Sequence, residues 1–266
     1  MVKSHLLVID PQVDFCDPSG SLYVPGAEDD MGRLAAMITR LGRKLADISV
    51  TMDSHHQYDI AHPLFWVDNQ GNHPAPFTLI TEDDVNAGKW KALIPDHQKI
   101  ALNYVAALRK NNRYVLCIWP PHCLIGTKGH NVYPTVSDAL LKWEIDRNVG
   151  FVDYVTKGSN FGTEHYSAVQ ADVPDPSDKS TQLNLALIDI LRDADIIGIA
   201  GEALSHCVAN TVTDIANNFG EENIKKLILL EDLCSNVGGF ENLGNDFVRD
   251  MTSRGMKVMK SSDFLA

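Results

Sequence analysis

Short runs of apolar residues alternate along this chain with longer stretches in which apolar side chains return every three or four positions. Leu6–Asp10 reads as a buried strand, and Asp29–Asp47 as a helix with the stripe Met31, Leu34, Ala35, Ile38, Leu41 and Leu45. Ser49–Asp53 follows as a strand. The pattern then predicts a helix over Asp96–Asn112 with Asp96 as its N-cap, and a strand over Tyr114–Trp119 stopped by Pro120-Pro121. Thr135–Arg147 reads as a helix and Phe151–Thr156 as a strand. Beyond them come a helix at Thr181–Ala194, a strand at Ile196–Ala200, a helix at Val208–Phe219 and a strand at Lys226–Leu230. Phe240–Arg254 reads as the last helix and Met256–Met259 as the last strand. Such alternation predicts a three-layer α/β/α fold around a central, mainly parallel sheet.

Two stretches break the rhythm. His62–Pro95 mixes Pro, Asn, Gly and acidic residues without a period, and Ala171–Ser180 reads as a loop. The expected organisation is one domain over residues 1–266 with an inserted excursion at about 62–95. Phe65, Trp66, Phe77, Leu79 and Ile80 are too many apolar side chains to leave in water, so the excursion is expected to fold over the rim or into a subunit contact.

Composition narrows the classes. Of 266 residues, 23 are Lys or Arg and 35 are Asp or Glu, a formal charge of −12, and no basic run interrupts the chain. A nucleic-acid backbone or an anionic membrane needs a basic face, so neither is expected as a partner. The longest apolar runs, such as Ile196–Ala200, are strand-sized, far short of the roughly 20 residues of a membrane span. The five cysteines (Cys16, Cys117, Cys123, Cys207 and Cys234) are odd in number and form no CxxC pair. A disulfide framework and a four-thiolate zinc site are therefore not expected. The opening Met1–His5 leads straight into an apolar strand, without the apolar core and cleavage site of a secretory signal. A reducing cytoplasm is the expected compartment.

Open α/β sheets carry their sites at the carboxyl ends of strands. Asp10, Gln12 and Asp14 follow the first predicted strand, and Asp53, His55 and His56 the second. His122 and Lys157 follow the next two, and the turn into Cys207 follows Ile196–Ala200. Cys207 stands where that turn becomes a helix, a position whose dipole lowers a thiol pKa and favours the thiolate. A free cysteine is more commonly a buried structural residue, the reading kept for the other four. Asp10 could take the proton of a neighbouring thiol, or be an ordinary turn acid. Lys157 could hold that carboxylate and a thiolate, or be solvated surface. Asp53-x-His55, with His62 and His122, resembles a divalent-metal site of mixed carboxylate and imidazole ligands. Asp-x-His is a weak signal among ten histidines. His56, His73, His97, His130, His165 and His206 are read as structural or surface residues.

In order along the chain, LLVIDPQVDFC (6–16) with Gly20-Ser21-Leu22, Thr51–His55 with His62-Pro63-Leu64-Phe65, Trp119-Pro120-Pro121-His122-Cys123, Val155–Gly158 and Gly201–Val208 form one set. This set resembles the isochorismatase-like cysteine hydrolases, and among them the nicotinamidases (pyrazinamidases), over most of the chain. The resemblance implies a catalytic triad of Asp10, Lys157 and Cys207, with an oxyanion hole of the Ala203 and Cys207 backbone N–H groups after a cis peptide. It implies one divalent ion on Asp53, His55 and His122, with His62 as a fourth ligand: zinc first, iron or manganese as alternatives. Phe15, Leu22, Trp119 and Tyr166 would line the ring pocket. The sequence departs from the family pattern in the longer His55–His62 and His62–His122 spacings, and in Ser205 where an acid is usual.

The activity so implied is hydrolysis of nicotinamide to nicotinate and ammonia through a thioester, by an enzyme with a small-molecule amide as its partner and a homo-oligomeric assembly. One alternative is a related amidase for another carboxamide, a ureido or a carbamoyl substrate. Another, of a different class, is a non-catalytic metal- or ligand-binding relative. Relatives acting on aliphatic amides generally lack the metal motif, and those cleaving the isochorismate ether generally lack the nucleophilic cysteine.

Overall fold

The first strand, β1 (Ser4–Ile9), has no polar face, because all six of its residues are buried. Leu6 and Val8 pack to one side, and Leu7 and Ile9 to the other. A strand buried on both faces needs paired neighbours at its edges and helices above and below. The computed structural model, which describes residues 2–111, 114–147 and 150–266, supplies both.

After β1 come a short helix α1 (Val13–Cys16), α2 (Ala27–Leu41) and β2 (Asp47–Asp53). The 62–95 excursion holds β3 (Trp66–Val67), β4 (Leu79–Ile80), α3 (Glu82–Asn86) and β5 (Lys91–Ala92). Next are α4 (Gln98–Lys110), β6 (Leu116–Cys117), α5 (Pro134–Asp146), β7 (Asp153–Lys157) and α6 (Leu185–Arg192). The chain ends with β8 (Ile196–Gly201), a π-helical turn (Leu204–Val208), α7 (Ala209–Phe219), β9 (Leu227–Leu230), α8 (Glu241–Ser253) and β10 (Lys257–Met259).

Among the described residues, six strands form one sheet in the order β10-β9-β8-β1-β2-β7, with every pair parallel. Helices α2, α4 and α5 bury their apolar stripes in the cluster that holds Leu6 and Val8, and α6, α7 and α8 in that of Leu7 and Ile9. This is the expected α/β/α sandwich. From β1 the chain builds outward to β2 and β7, then returns through β8 to build the other half. The neighbours β1 and β8 thus form the topological switch point, where the carboxyl ends open a crevice. Gly201 closes β8 at φ +115°, and a Cβ there would lie 1.9 Å from the Ile9 carbonyl oxygen, so glycine is required for this approach.

Several elements differ from the sequence pattern. Only Leu116–Cys117 of the predicted Tyr114–Trp119 strand pairs, antiparallel to β4 and outside the main sheet. Beyond it, Ile118 N–H donates to Thr78 O in the excursion and Trp119 N–H to Ala61 O just before it. Asp96 caps no helix: Pro95–His97 form a 3-10 turn and α4 starts after it. The predicted end of that helix, Asn112, lies outside the described residues. The Thr181–Ala194 helix shortens to α6, because Asn184 accepts from Leu187 N–H and sets its start. In the excursion, Phe65, Trp66 and Ile80 are buried in the main core, while Phe77 and Leu79 are each 54% exposed.

Candidate active site

Three strand ends and one turn bring the candidate residues together. Asp10 immediately follows β1 with φ +45°, a left-handed conformation rare for a non-glycine residue and typical of functional positions. Its N–H donates to Thr51 Oγ1 at 3.0 Å, and the Thr51 hydroxyl donates to Asp10 Oδ1 at 2.5 Å. Lys157 ends β7, which pairs with β2 in a register that sets it beside Asp53. Its Nζ lies 2.9 Å from Asp10 Oδ2 and 2.9 Å from Asp53 Oδ1, donates to the His165 carbonyl at 2.9 Å, and reaches Cys207 Sγ at 3.6 Å. Asp10, Lys157 and Cys207 are all buried. The peptide between Glu202 and Ala203 is cis.

Burial pushes Asp10 up against the pull of Lys157, with the charge of Asp53 adding to the rise. Burial alone would lower Lys157, but the carboxylates of Asp10 and Asp53 outweigh it and hold the ammonium well above its ordinary value. The thiol of Cys207 corrects the sequence reading. Burial raises it well above the usual range despite Lys157, and Asp10 adds to the rise both by its charge and by a hydrogen bond. Desolvation thus outweighs the cation beside the thiol.

The second cluster adjoins the first through Asp53. Its Oδ2 lies 3.1 Å from His55 Nε2 and 3.3 Å from His122 Nε2, while its backbone exchanges two 2.7 Å hydrogen bonds with the Gln12 side chain. Nδ1 of each imidazole has its own acceptor: Asp59 for His55 at 3.0 Å, the His56 carbonyl for His62 at 3.1 Å, and the Pro120 carbonyl for His122 at 2.9 Å. With Nδ1 so engaged, Nε2 of His55 and of His122 turns to Asp53, and Nε2 of His62 lies 3.4 Å from His122 Nδ1, a convergence of the kind that orients metal-binding histidines. Ligand atoms of His55, His62 and His122 lie within 4.8 Å of one another, and so do those of Asp53, His55 and Glu164. Burial pushes His62 down to about 2, helped by His122 and His55, which keeps it neutral. Asp53 is buried too, but His55 and Lys157 hold it well below the carboxylate range.

The two clusters meet at a cavity lined by Phe15, Leu22, Asp53, Trp119, His122, Glu164, Tyr166, Ala203, His206, Cys207 and Val237. All four residues expected at a ring pocket are there. The Trp119 indole N–H donates to Tyr166 Oη at 2.8 Å, which fixes both rings. His206, read from sequence as structural or surface, instead lines the cavity edge-on to Trp119 at 5.2 Å, and burial lowers it to about 4. Sequence reasoning also missed Glu164, Thr51 and Asp59. Asp59 stands four residues after His55, a spacing that could have flagged it; nothing in the local pattern marks Glu164.

No family model matches the chain. It is 25% identical over 226 residues to the nicotinamidase of Saccharomyces cerevisiae, covering 85% of each protein. Its fold is similar to that of yeast nicotinamidase with a TM-score of 0.67 and 20% identity, over 96% of this chain and 99% of that one. It is also similar, with a TM-score of 0.57 and 20% identity, to the zinc complex of Pyrococcus horikoshii pyrazinamidase, over 97% and 99% of the two chains. The ordered motifs, the parallel sheet and these similarities agree on one assignment: the chain has the isochorismatase-like hydrolase fold and resembles the nicotinamidases across nearly its whole length.

Proposed function

We propose that this protein hydrolyses nicotinamide to nicotinate and ammonia through a thioester on Cys207. The observation that carries the reading is the contact of Lys157 with both Asp10 and Cys207 beside a small aromatic-lined cavity that Cys207, Asp53 and His122 line together. The Asp10 carboxylate takes the thiol proton, and the sulfur adds to the carboxamide carbon. Its raised pKa makes Asp10 a better base than an exposed aspartate. Lys157 keeps Asp10 oriented and balances charge during the transfer. The backbone N–H groups of Ala203 and Cys207 would meet the developing oxyanion, a contribution of about 3 kcal/mol per donor in other hydrolases. Asp10 then gives its proton to the departing nitrogen, which leaves as ammonia. Water, deprotonated by Asp10, cleaves the thioester to nicotinate and restores the thiol.

The donor set suits one divalent ion. Three buried imidazoles with Nδ1 held by acceptors, together with the carboxylates of Asp53 and Glu164, match zinc, and also iron or manganese. Glu164 Oε2 and Asp53 Oδ1 are buried without a hydrogen-bond donor, although Asp53 Oδ1 has its ion pair with Lys157. His55, His122 and Asp53 would hold the ion, with His62 as the fourth ligand. When bound, it supplies a Lewis acid that can take the ring nitrogen of a pyridine and orient the amide. The similarity to a zinc-bound pyrazinamidase supports this reading.

Ammonia release from nicotinamide, with nicotinate measured in parallel, tests the activity. Cys207→Ala should abolish turnover with the fold intact. Residual activity within about tenfold of the native protein would rule out the thioester.

A further inference from the structure

Behind the nucleophile turn lies a second pair of buried carboxyl groups that the proposed chemistry does not use. Glu202 is the residue before Ala203, and Asp30 lies on α2; both are buried. Ser235 joins them: its N–H donates to Glu202 Oε2 at 3.0 Å and its hydroxyl to Asp30 Oδ2 at 2.5 Å. The Ser235 carbonyl in turn accepts from Leu204 N–H at 2.7 Å, and Glu202 N–H donates to the Ile9 carbonyl at 2.8 Å. The residues on either side of Ala203 are therefore tied, one to β1 and one to Ser235. Arg33, one turn further along α2, pairs with Asp30.

Two carboxyl groups bridged by one serine away from water oppose each other's charge. Arg33 pairs with Asp30, and Ser235 bridges the two carboxyl groups by donating to each. Burial and the charge of Asp30 raise Glu202 well above the carboxylate range. The other titratable groups facing it are the thiols of Cys16 on α1 and Cys234 next to Ser235, both pushed upward by burial and so uncharged.

We propose that Glu202 is a positioning residue: through the clamp it forms with Ser235 and Asp30, it fixes the backbone of Ala203 and Leu204 against the cavity that holds Cys207. The inference rests on the reading that Ala203 donates to the oxyanion. A donor that must meet charge present only in the transition state acts on kcat rather than on substrate binding.

Glu202→Gln keeps the shape, with an amide oxygen that can still accept from Ser235 N–H, whereas Glu202→Ala removes that bond. For nicotinamide, Glu202→Ala should lower kcat by about tenfold or more with KM within about threefold, and Glu202→Gln should stay within about threefold of the native kcat. Ser235→Ala, which deletes only the hydroxyl bond to Asp30, should fall between them and guards against misfolding of the alanine variant. Hydrogen exchange of the 201–208 amides should quicken by about tenfold in Glu202→Ala and remain native in Glu202→Gln. A Glu202→Ala enzyme with kcat within threefold of native, or a Glu202→Gln enzyme as impaired as the alanine variant, would overturn the proposal. If the native protein leaves nicotinamide untouched, the substrate reading fails by itself. Exchange then decides the clamp, and equal rates in the native protein and Glu202→Ala refute it.

Discussion

Replacing Lys157 with methionine keeps most of the stem and removes one buried positive charge. Nζ lies 2.9 Å from a carboxylate oxygen of both Asp10 and Asp53, with no more than 4% of any of the three side chains exposed. At an effective dielectric of about 20, each contact is worth roughly 6 kcal/mol of gross attraction, most of it offset by the desolvation of the ions. The cost of the variant is set by what is left behind, since stranding one buried charge typically costs about 3–5 kcal/mol. Asp10 is left without its cation while His55 stays beside Asp53, so a cost within that range is expected. In a protein of this size that is a fall in Tm of roughly 10–20 °C. Asp10→Asn in the same chain removes one stranded charge, so the double variant should be more stable than Lys157→Met alone. Urea unfolding of the native protein, both single variants and the double variant, with a chelator present throughout, measures the coupling without a contribution from bound metal. A Lys157→Met cost below about 1 kcal/mol, or two penalties that simply add, would refute the buried triad of charges.

Two further outcomes are expected. Benzamide, which has the ring shape of nicotinamide without the ring nitrogen, should be a poor substrate, and His122→Ala should raise KM for nicotinamide while native-like folding persists; equal kcat/KM for the two amides would end the metal-anchored reading. His5 lies far from the cavity, bonded to Ser49 Oγ at 3.0 Å, and burial lowers it to about 4 against the attraction of Asp47 and Asp153. The unfolded chain binds that proton near pH 6.5 and the folded one does not, so the stability His5 contributes is complete above about pH 6.5 and is lost as the pH falls toward 4. Between pH 7 and pH 5 the loss should be about 2 kcal/mol from this residue, and His5→Gln should be correspondingly less acid-sensitive in urea unfolding. An unchanged pH profile in that variant would contradict the assignment.

The sheet was legible because its strands are buried on both sides, and such strands carry uninterrupted apolar runs. Leu6–Ile9, Ile196–Ala200 and Leu227–Leu230 need no alternation to be recognised, and each sits at a strand within a residue or two of its predicted ends. Tyr114–Trp119 has the same composition, yet its backbone bonds go to Thr78 and Ala61, partners that an aperiodic segment hides from any local pattern. The candidate site was legible by position, since Asp10, Asp53 and Lys157 each stand at the end of a strand. Glu164 lies seven residues beyond β7 in irregular chain, and Thr51 looks like an ordinary β-branched strand residue until its hydroxyl meets Asp10. The direction expected for the Cys207 pKa differs for another reason. A helix dipole can be read from sequence, whereas the desolvation that overrides it depends on how many atoms the fold packs around Cys207.

Asp53 is where the two halves of the site become one. Its Oδ1 pairs with Lys157, which also holds Asp10 and reaches Cys207, while its Oδ2 faces His55 and His122. That division depends on register: β2 pairs with β7 so that Asp53 and Lys157 are direct partners, and a slip of one residue would turn one of them to the opposite face of the sheet. Gly158 protects the same arrangement, because at φ +86° a Cβ would lie 2.8 Å from Asp53 Oδ1 and crowd His55. The Asp-x-His pair that looked weak in the sequence gains its meaning from these neighbours. A carboxylate serving only a metal would have no need of a lysine at its second oxygen, and a lysine serving only the thiol would have no need of Asp53. The shared oxygens make the candidate metal ligands and the candidate nucleophile parts of a single electrostatic unit, so a change in charge on one side is felt on the other through a chain of contacts no longer than 3.6 Å.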